Sequence, residues 1–138
     1  MANLPTNRTE LRELVKGKSD ADIIAGCAGN EESYIEGILN AMPGVFDAAK
    51  AGGQSAIFQY DIDTPAGLKQ YQIIVEAGKC TIQKGPAAKA KCTLKSNLPT
   101  FLRIMAGDLD GQKAFMSGVL KISGDVMFSR NMTLWFKG

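Results

Sequence analysis

The sequence predicts an α+β fold, a β-sheet with helices packed on one face, and three observations carry that prediction. Apolar residues recur at helical spacing over 31–42 and again over 97–105. Between 55 and 95 they alternate at period two, the mark of strands with one buried face. The order is helix, three or four strands, a helix pair, a strand and an apolar closing segment, which suits a sheet and a helix layer sharing one core.

The elements follow in chain order. Leu11, Leu14 and Val15 fall on one helical face before Gly17, which predicts a short helix over 9–15. Ile35, Ile38, Leu39 and Met42 repeat at i, i+3, i+4, i+7, with Glu31 and Glu32 suited to the helix start and Pro43 to its end. Over 55–62, Ala56, Phe58, Tyr60 and Ile62 share a face opposite Ser55, Gln59 and Asp61. Thr64-Pro65-Ala66-Gly67 then predicts a hairpin turn into a strand over 68–77, where Tyr71, Ile73 and Val75 share a face. Cys80-Ile82-Lys84 and Cys92-Leu94 alternate as further strands, so the sheet is expected to have one apolar and one wet face. Leu98, Phe101, Leu102 and Met105 restore the helical period after a Ser96 or Asn97 cap, with Pro99 in the first turn. A second short helix is expected over 111–116, and "GVLKISG" reads as a last strand. "DVMFSRNMTLWF" fits strand or helix equally by periodicity.

Composition removes several function classes. The 138 residues suffice for one domain with a real core. Apolar residues at 45% and charged residues at 22% are ordinary for a globular chain. A net charge of +2, with acids interleaved among bases, gives too weak a field to expect a nucleic-acid partner. With no histidine there is no Ser-His-Asp triad, no Cys-His pair and no imidazole metal ligand. No GxxxxGK[ST] or GxGxxG occurs. The mixed charges of the first twenty residues fit neither a signal peptide nor a membrane span, and the closing "WFKG" is no peroxisomal address. Cys27, Cys80 and Cys92 are odd in number and form no CxxC pair, so a reducing, cytoplasmic location is expected.

The remaining polar constellations are weak. Asp108 and Asp110 before Gly111 lack the further ligands of a calcium loop and read as a solvated loop. Asp61 and Asp63 at a strand end serve turn geometry more readily than paired-carboxylate catalysis. Cys80 and Cys92 would face each other in a simple hairpin about Pro86, although free thiols packing as small apolar groups suit an intracellular chain better.

Two features survive. Met105, Met116, Met127 and Met132 lie in the C-terminal third with Phe101, Phe115, Phe128 and Trp135, and such adaptable side chains suit either an ordinary core or a cavity for an apolar ligand. Lys79, Lys84, Lys89, Lys91 and Lys95 fall within seventeen residues without an acid. They suit anionic headgroups or, equally, protection of an exposed sheet edge.

"MPGVFDAAKAGGQSAIFQYDI" resembles the first helix end and first strand of the sterol carrier protein type 2 family, and "AKCTLKSNLPTFLRIMAGDLDGQKAFMSGVLKISGDVMFSRNMTLWF" resembles its later strand, helix pair and closing segment. "AFMSGVLKISGD" is the most specific part, and Asn97-Leu98-Pro99 departs from the acidic helix start common in the family. The resemblance implies a five-stranded mixed sheet whose fourth strand is reached by a crossover, which would separate Cys80 from Cys92. It further implies a helical closing segment, and an apolar tunnel between sheet and helices that holds fatty acid, fatty acyl-CoA, sterol or similar lipid.

On that resemblance, Phe58 and Tyr60 would form the tunnel floor. Phe101, Leu102, Met105, Phe115, Met116, Leu120, Ile122, Met127, Met132 and Trp135 would lie near it. Lys84, Lys89, Lys91 and Lys95 would meet a lipid headgroup or an anionic membrane surface. Residues 1–30 would be an N-terminal helical extension, a partner surface or a cover for the tunnel mouth, and 31–138 the lipid-binding domain. The expected function is non-enzymatic lipid carriage with no cofactor or metal. The alternative is an accessory factor presenting an isoprenoid or quinone-type intermediate to lipid-metabolising enzymes.

Overall fold

The computed structural model describes residues 8–136, so the first seven residues of the N-terminal extension lie outside the described residues. Five strands, β1 (Ala56–Thr64), β2 (Gly67–Glu76), β3 (Lys79–Lys84), β4 (Cys92–Asn97) and β5 (Lys121–Gly124), form one mixed sheet in the order β3-β2-β1-β4-β5. β1 and β4 are parallel, and every other neighbouring pair is antiparallel. The β1–β2 turn forms at Pro65-Ala66 as expected. The Thr64 hydroxyl accepts from the Ala66 N–H at 3.1 Å and donates to the Gly67 carbonyl at 2.8 Å.

A parallel β4 cannot follow β3 through a tight turn, because the chain must cross the sheet to reach the free edge of β1. Residues 85–91 make that crossing, and the hairpin read about Pro86 does not form. Cys80 lies opposite Val75 on the outer strand β3, whereas Cys92 lies opposite Phe58 and Gly124 on β4. Two strands separate these thiols, and all three cysteines are free.

The crossing segment runs over the face expected to be wet. Gln59 and Gln72, opposite each other in register, are both buried. The Gln72 side-chain amide donates to the carbonyls of Gly85 and Pro86 at 3.3 and 3.2 Å, and Gln59 Oε1 accepts from the Ala87 N–H at 2.8 Å. Alternation shows which way a side chain points, not what the chain later lays over it. Here two buried amides receive the partners that burial demands.

The other face carries Phe58, Tyr60, Ile62, Tyr71, Ile73, Val75, Cys92 and Leu94, all buried. Above it lie α1 (Arg8–Val15), α2 (Asp20–Cys27), α3 (Glu31–Ala41), the single turn α4 (Ala48–Ala51), α5 (Leu98–Met105), α6 (Gly111–Ser117) and α7 (Asn131–Trp135). The periodicity did not separate α2 or α4. Their four to eight residues hold too few apolar repeats, and caps define them instead: the Ser19 side chain accepts from the Asp22 N–H, and Asp47 from the Lys50 N–H. α3 ends at Ala41, and Pro43 sits in the 3-10 turn Met42–Val45 that continues it.

The closing segment, open by periodicity, is helical, a 3-10 turn Phe128–Arg130 running into α7. α1 and α2 pack on α5 and bury Leu11, Val15, Ile23 and Cys27. Arg103 of α5 fastens this pair: its guanidinium bonds Asp20 and donates to the Lys18 carbonyl at 3.0 Å.

Candidate functional site

The departure at Asn97-Leu98-Pro99 costs α5 nothing, since Asn97 Oδ1 accepts from the Thr100 N–H at 2.9 Å and proline at the second helical position has no N–H to lose. The cap aims Leu98, Phe101 and Leu102 down at the sheet. The Phe101 ring meets the Tyr60 ring edge-on at 5.5 Å. Two residues back along β1, on the same face, Phe58 stacks on Phe128 at 5.5 Å and meets Trp135 edge-on at 5.9 Å, and Phe128 meets Trp135 perpendicularly at 5.5 Å. These are favourable aromatic geometries, worth about 0.5–1.5 kcal/mol per pair beyond burial. The closing segment is tied down behind them, where the Trp135 carbonyl accepts from the Asp47 N–H at 2.7 Å and Phe136 packs against Phe46.

The residues named from sequence divide into three groups. Phe58, Tyr60, Phe101, Leu102, Leu120 and Trp135 are buried on the helix-covered sheet face or against it. Met105, Ile122 and Met132 are half-buried at the margin of that core. Phe115, Met116 and Met127 point outward, at 39%, 85% and 70% exposure. Val119, Val126 and Leu134 are exposed beside them in sequence, and no periodicity marked these three. Phe128, noticed only as one of several aromatics, proves to be the ring stacked on Phe58.

The lysines do not form one patch. Lys84 pairs with Glu32 and lies 3.9 Å from Glu36, on the side where α3 meets the β3 edge. That pairing holds the Glu32 carboxyl below its usual range, chiefly through the hydrogen bond from Lys84. Lys91 lies 3.7 Å from Asp125 with its ammonium 5.3 Å from the Phe128 ring centre, so it braces the aromatic group from outside. Lys89 and Lys95 are exposed, and Lys95 stands opposite Lys121 on the edge pair β4–β5.

Asp61 and Asp110 have structural partners. Asp61 accepts from the side-chain amides of Gln59 and Gln70 at 2.7 and 3.3 Å, and Asp110 caps α6 through the Gln112 N–H at 3.0 Å. Burial pushes the thiols of Cys27, Cys80 and Cys92 up to about 11, with nearby Glu31 adding to the effect at Cys27 and Asp125 at Cys92. At neutral pH they are thiols, poor nucleophiles and poor metal ligands. Among the described residues no group of three or more Cys, Asp or Glu side chains could hold a metal, and no helix is long and apolar enough to cross a membrane.

Comparison with known proteins agrees with this arrangement. Mouse peroxisomal multifunctional enzyme type 2 is 33% identical over 86 residues, 60% of this chain and 12% of the relative. Human sterol carrier protein 2 is 34% identical over 79 residues, 56% of this chain and 14% of the relative. The chain therefore corresponds to a small part of either protein. The crystal structure of sterol carrier protein 2 like 2 from Aedes aegypti superposes with a TM-score of 0.60 at 23% identity, over 75% of this chain and 93% of that one, and so shares the fold. The family model of the SCP-2 sterol transfer family matches residues 46–137, a range that contains all five strands and the helices α4 to α7. The chain belongs to the SCP-2 sterol transfer family.

Proposed function

We propose that this protein carries one long-chain apolar lipid, without chemical change, in the interior between the helices and the sheet face of Phe58 and Tyr60. The observation that carries this reading is the aromatic group of Phe58, Tyr60, Phe101, Phe128 and Trp135 on that single face, flanked by exposed apolar side chains of α6 and the closing segment. Each CH₂ group withdrawn from water contributes about 0.8 kcal/mol, so an acyl chain or sterol skeleton is held without any catalytic residue. The rings floor the site, and Met105 and Met132 at its margin, beside Ile122, adapt to the ligand's shape.

Phe115, Met116 and Met127 serve the mouth rather than the floor, since that is where an exposed apolar side chain does work for a carrier meeting a membrane. Lys89 and Lys95 are free to meet an anionic surface, whereas Lys84 is committed to α3. The location remains the cytoplasm proposed from the sequence.

Native mass spectrometry of the purified chain, followed by organic extraction, tests the proposal. A stoichiometric adduct released on denaturation and identified as an intact apolar lipid is expected. A ligand-free chain that also takes up no added lipid would remove the proposal. Recovery of an isoprenoid quinone precursor would recast the carrier as an accessory of biosynthetic enzymes.

A further inference from the structure

Two buried rings of the site carry a polar atom, Trp135 with its indole N–H and Tyr60 with a hydroxyl, and Tyr60 is the one that lies on the sheet floor. The residue is 5% exposed, and no described residue hydrogen-bonds its hydroxyl, whereas the neighbouring Tyr71 hydroxyl donates to Glu36 at 2.9 Å. No fully enclosed side-chain nitrogen or oxygen among the described residues lacks a partner, so the Tyr60 hydroxyl opens onto space within that residual exposure. Its ring lies under Phe101, and its strand neighbours on the same face are Phe58, Ile62 and, across the ladder, Leu94 and Tyr71. A phenol that opens onto space among such groups is placed to donate to an oxygen that enters there.

The charge around it is as informative. The buried polar side chains among the described residues are Glu31, Gln59, Gln72, Ser96, Thr100 and Ser129, with no lysine or arginine. Arg103, the cation of α5, is turned to Asp20 and the Lys18 carbonyl. A carboxylate or phosphate drawn in beside Tyr60 would meet no compensating charge, and burying an unpaired anion is far costlier than one hydrogen bond returns. Burial, with the nearby Cys92 thiol adding to it, pushes the Tyr60 hydroxyl well above its ordinary range, so it stays a neutral donor.

We propose that the Tyr60 hydroxyl is the specificity-determining group of the site, and that it selects lipids carrying a neutral oxygen, an alcohol or carbonyl, which enters first and hydrogen-bonds to it. A ligand with a charged head binds the other way round, tail inward and head in water. This inference rests on the lipid-carrier reading and names the ligand class that reading leaves open.

The test is displacement of a fluorescent lipid probe from the full chain by tetradecan-1-ol, tetradecane and tetradecanoate, in the wild type and in Tyr60→Phe. The alcohol is expected to bind about tenfold more tightly than the alkane, the usual size of one net hydrogen bond. In Tyr60→Phe that ratio should fall toward one, with tetradecane and tetradecanoate binding within about twofold of the wild type. The unliganded variant should melt no lower than the wild type, because it loses only an unpartnered hydroxyl; a structural role for the hydroxyl would lower the melt and overturn the inference. An alcohol-to-alkane ratio unaffected by the substitution, or tetradecanoate losing as much as the alcohol, would equally overturn it. If the alkane binds but the alcohol gains nothing, the carrier reading stands and this inference fails. If the probe and all three ligands fail to bind the wild type, both fail together.

Discussion

The two ends of the helix layer are built differently. Where α1, α2 and α3 meet α5 and the β3 edge, polar contacts close the surface: Arg103 with Asp20, Arg12 with the Gly107 carbonyl, Lys84 with Glu32, and Tyr71 with Glu36. Across the molecule, around α6, β5 and α7, the described ion pairs reduce to Lys91 with Asp125. Six of the seven large apolar side chains left exposed among the described residues, Phe115, Met116, Val119, Val126, Met127 and Leu134, belong to this second region, the seventh being Leu68. A protein selected only for stability would cover both ends alike. The difference teaches that one end anchors the fold with polar contacts while the other leaves apolar side chains exposed, which is the end the proposed function assigns to contact with lipid.

Substitutions sharpen that contrast, and the largest effect should come from the shared floor. Phe58 is fully buried and touches both Phe128 and Trp135, so Phe58→Ala should cost about 3–5 kcal/mol in urea unfolding and abolish ligand uptake. Gly124 comes next. Its φ is +83°, and a Cβ there would lie 2.7 Å from the Lys91 carbonyl oxygen and 3.1 Å from the Cys92 Cα, both backbone atoms. Gly124→Ala should therefore lower stability by about 2–3 kcal/mol and loosen the end of the crossover. At the anchored end, Arg103→Met removes two charge-assisted contacts from a mostly covered side chain and should cost about 1–2 kcal/mol, read by the same unfolding curve.

Smaller still is the effect of pH on the α3–β3 contact. The folded-state pKa of Glu32 lies below its usual 4.5, so the stability it contributes is present above that value and is lost as pH falls through the lowered one. Lys84→Met should flatten that part of the acid limb, with little change at pH 7, because both side chains are exposed. The least effect on stability belongs to the apolar end: Met116→Gln with Met127→Gln should alter unfolding by less than about 0.5 kcal/mol. The same pair should slow transfer of a fluorescent lipid to anionic vesicles several-fold, whereas Arg103→Met should leave the transfer rate nearly unchanged.

The sequence made the floor legible and left the rim obscure, for physical reasons. Phe58, Tyr60, Tyr71 and Ile73 alternate with polar residues because one strand face is buried, and Leu98, Phe101 and Leu102 repeat at helical spacing because α5 buries one stripe. Nothing local encodes the crossover at 85–91, whose partners Gln59 and Gln72 look like ordinary surface residues of an alternating strand. Hence the residue pattern alone suggests a hairpin between Cys80 and Cys92, the resemblance to a known family implies a crossover to the fourth strand, and the structure places that strand beside β1. The resemblance implies a place near the tunnel for Met116 and Met127, but exposure is a tertiary property that neither composition nor a matching motif carries.

Trp135, the chain's only tryptophan, offers the most direct measurement, because its ring is buried against Phe58 and Phe128 at the proposed site. Energy transfer from Trp135 to a bound polyene fatty acid should appear on titration, saturate at one ligand per chain, and disappear on competition with an unlabelled lipid. Saturable binding of the polyene without quenching of Trp135 would place the ligand elsewhere and contradict the account.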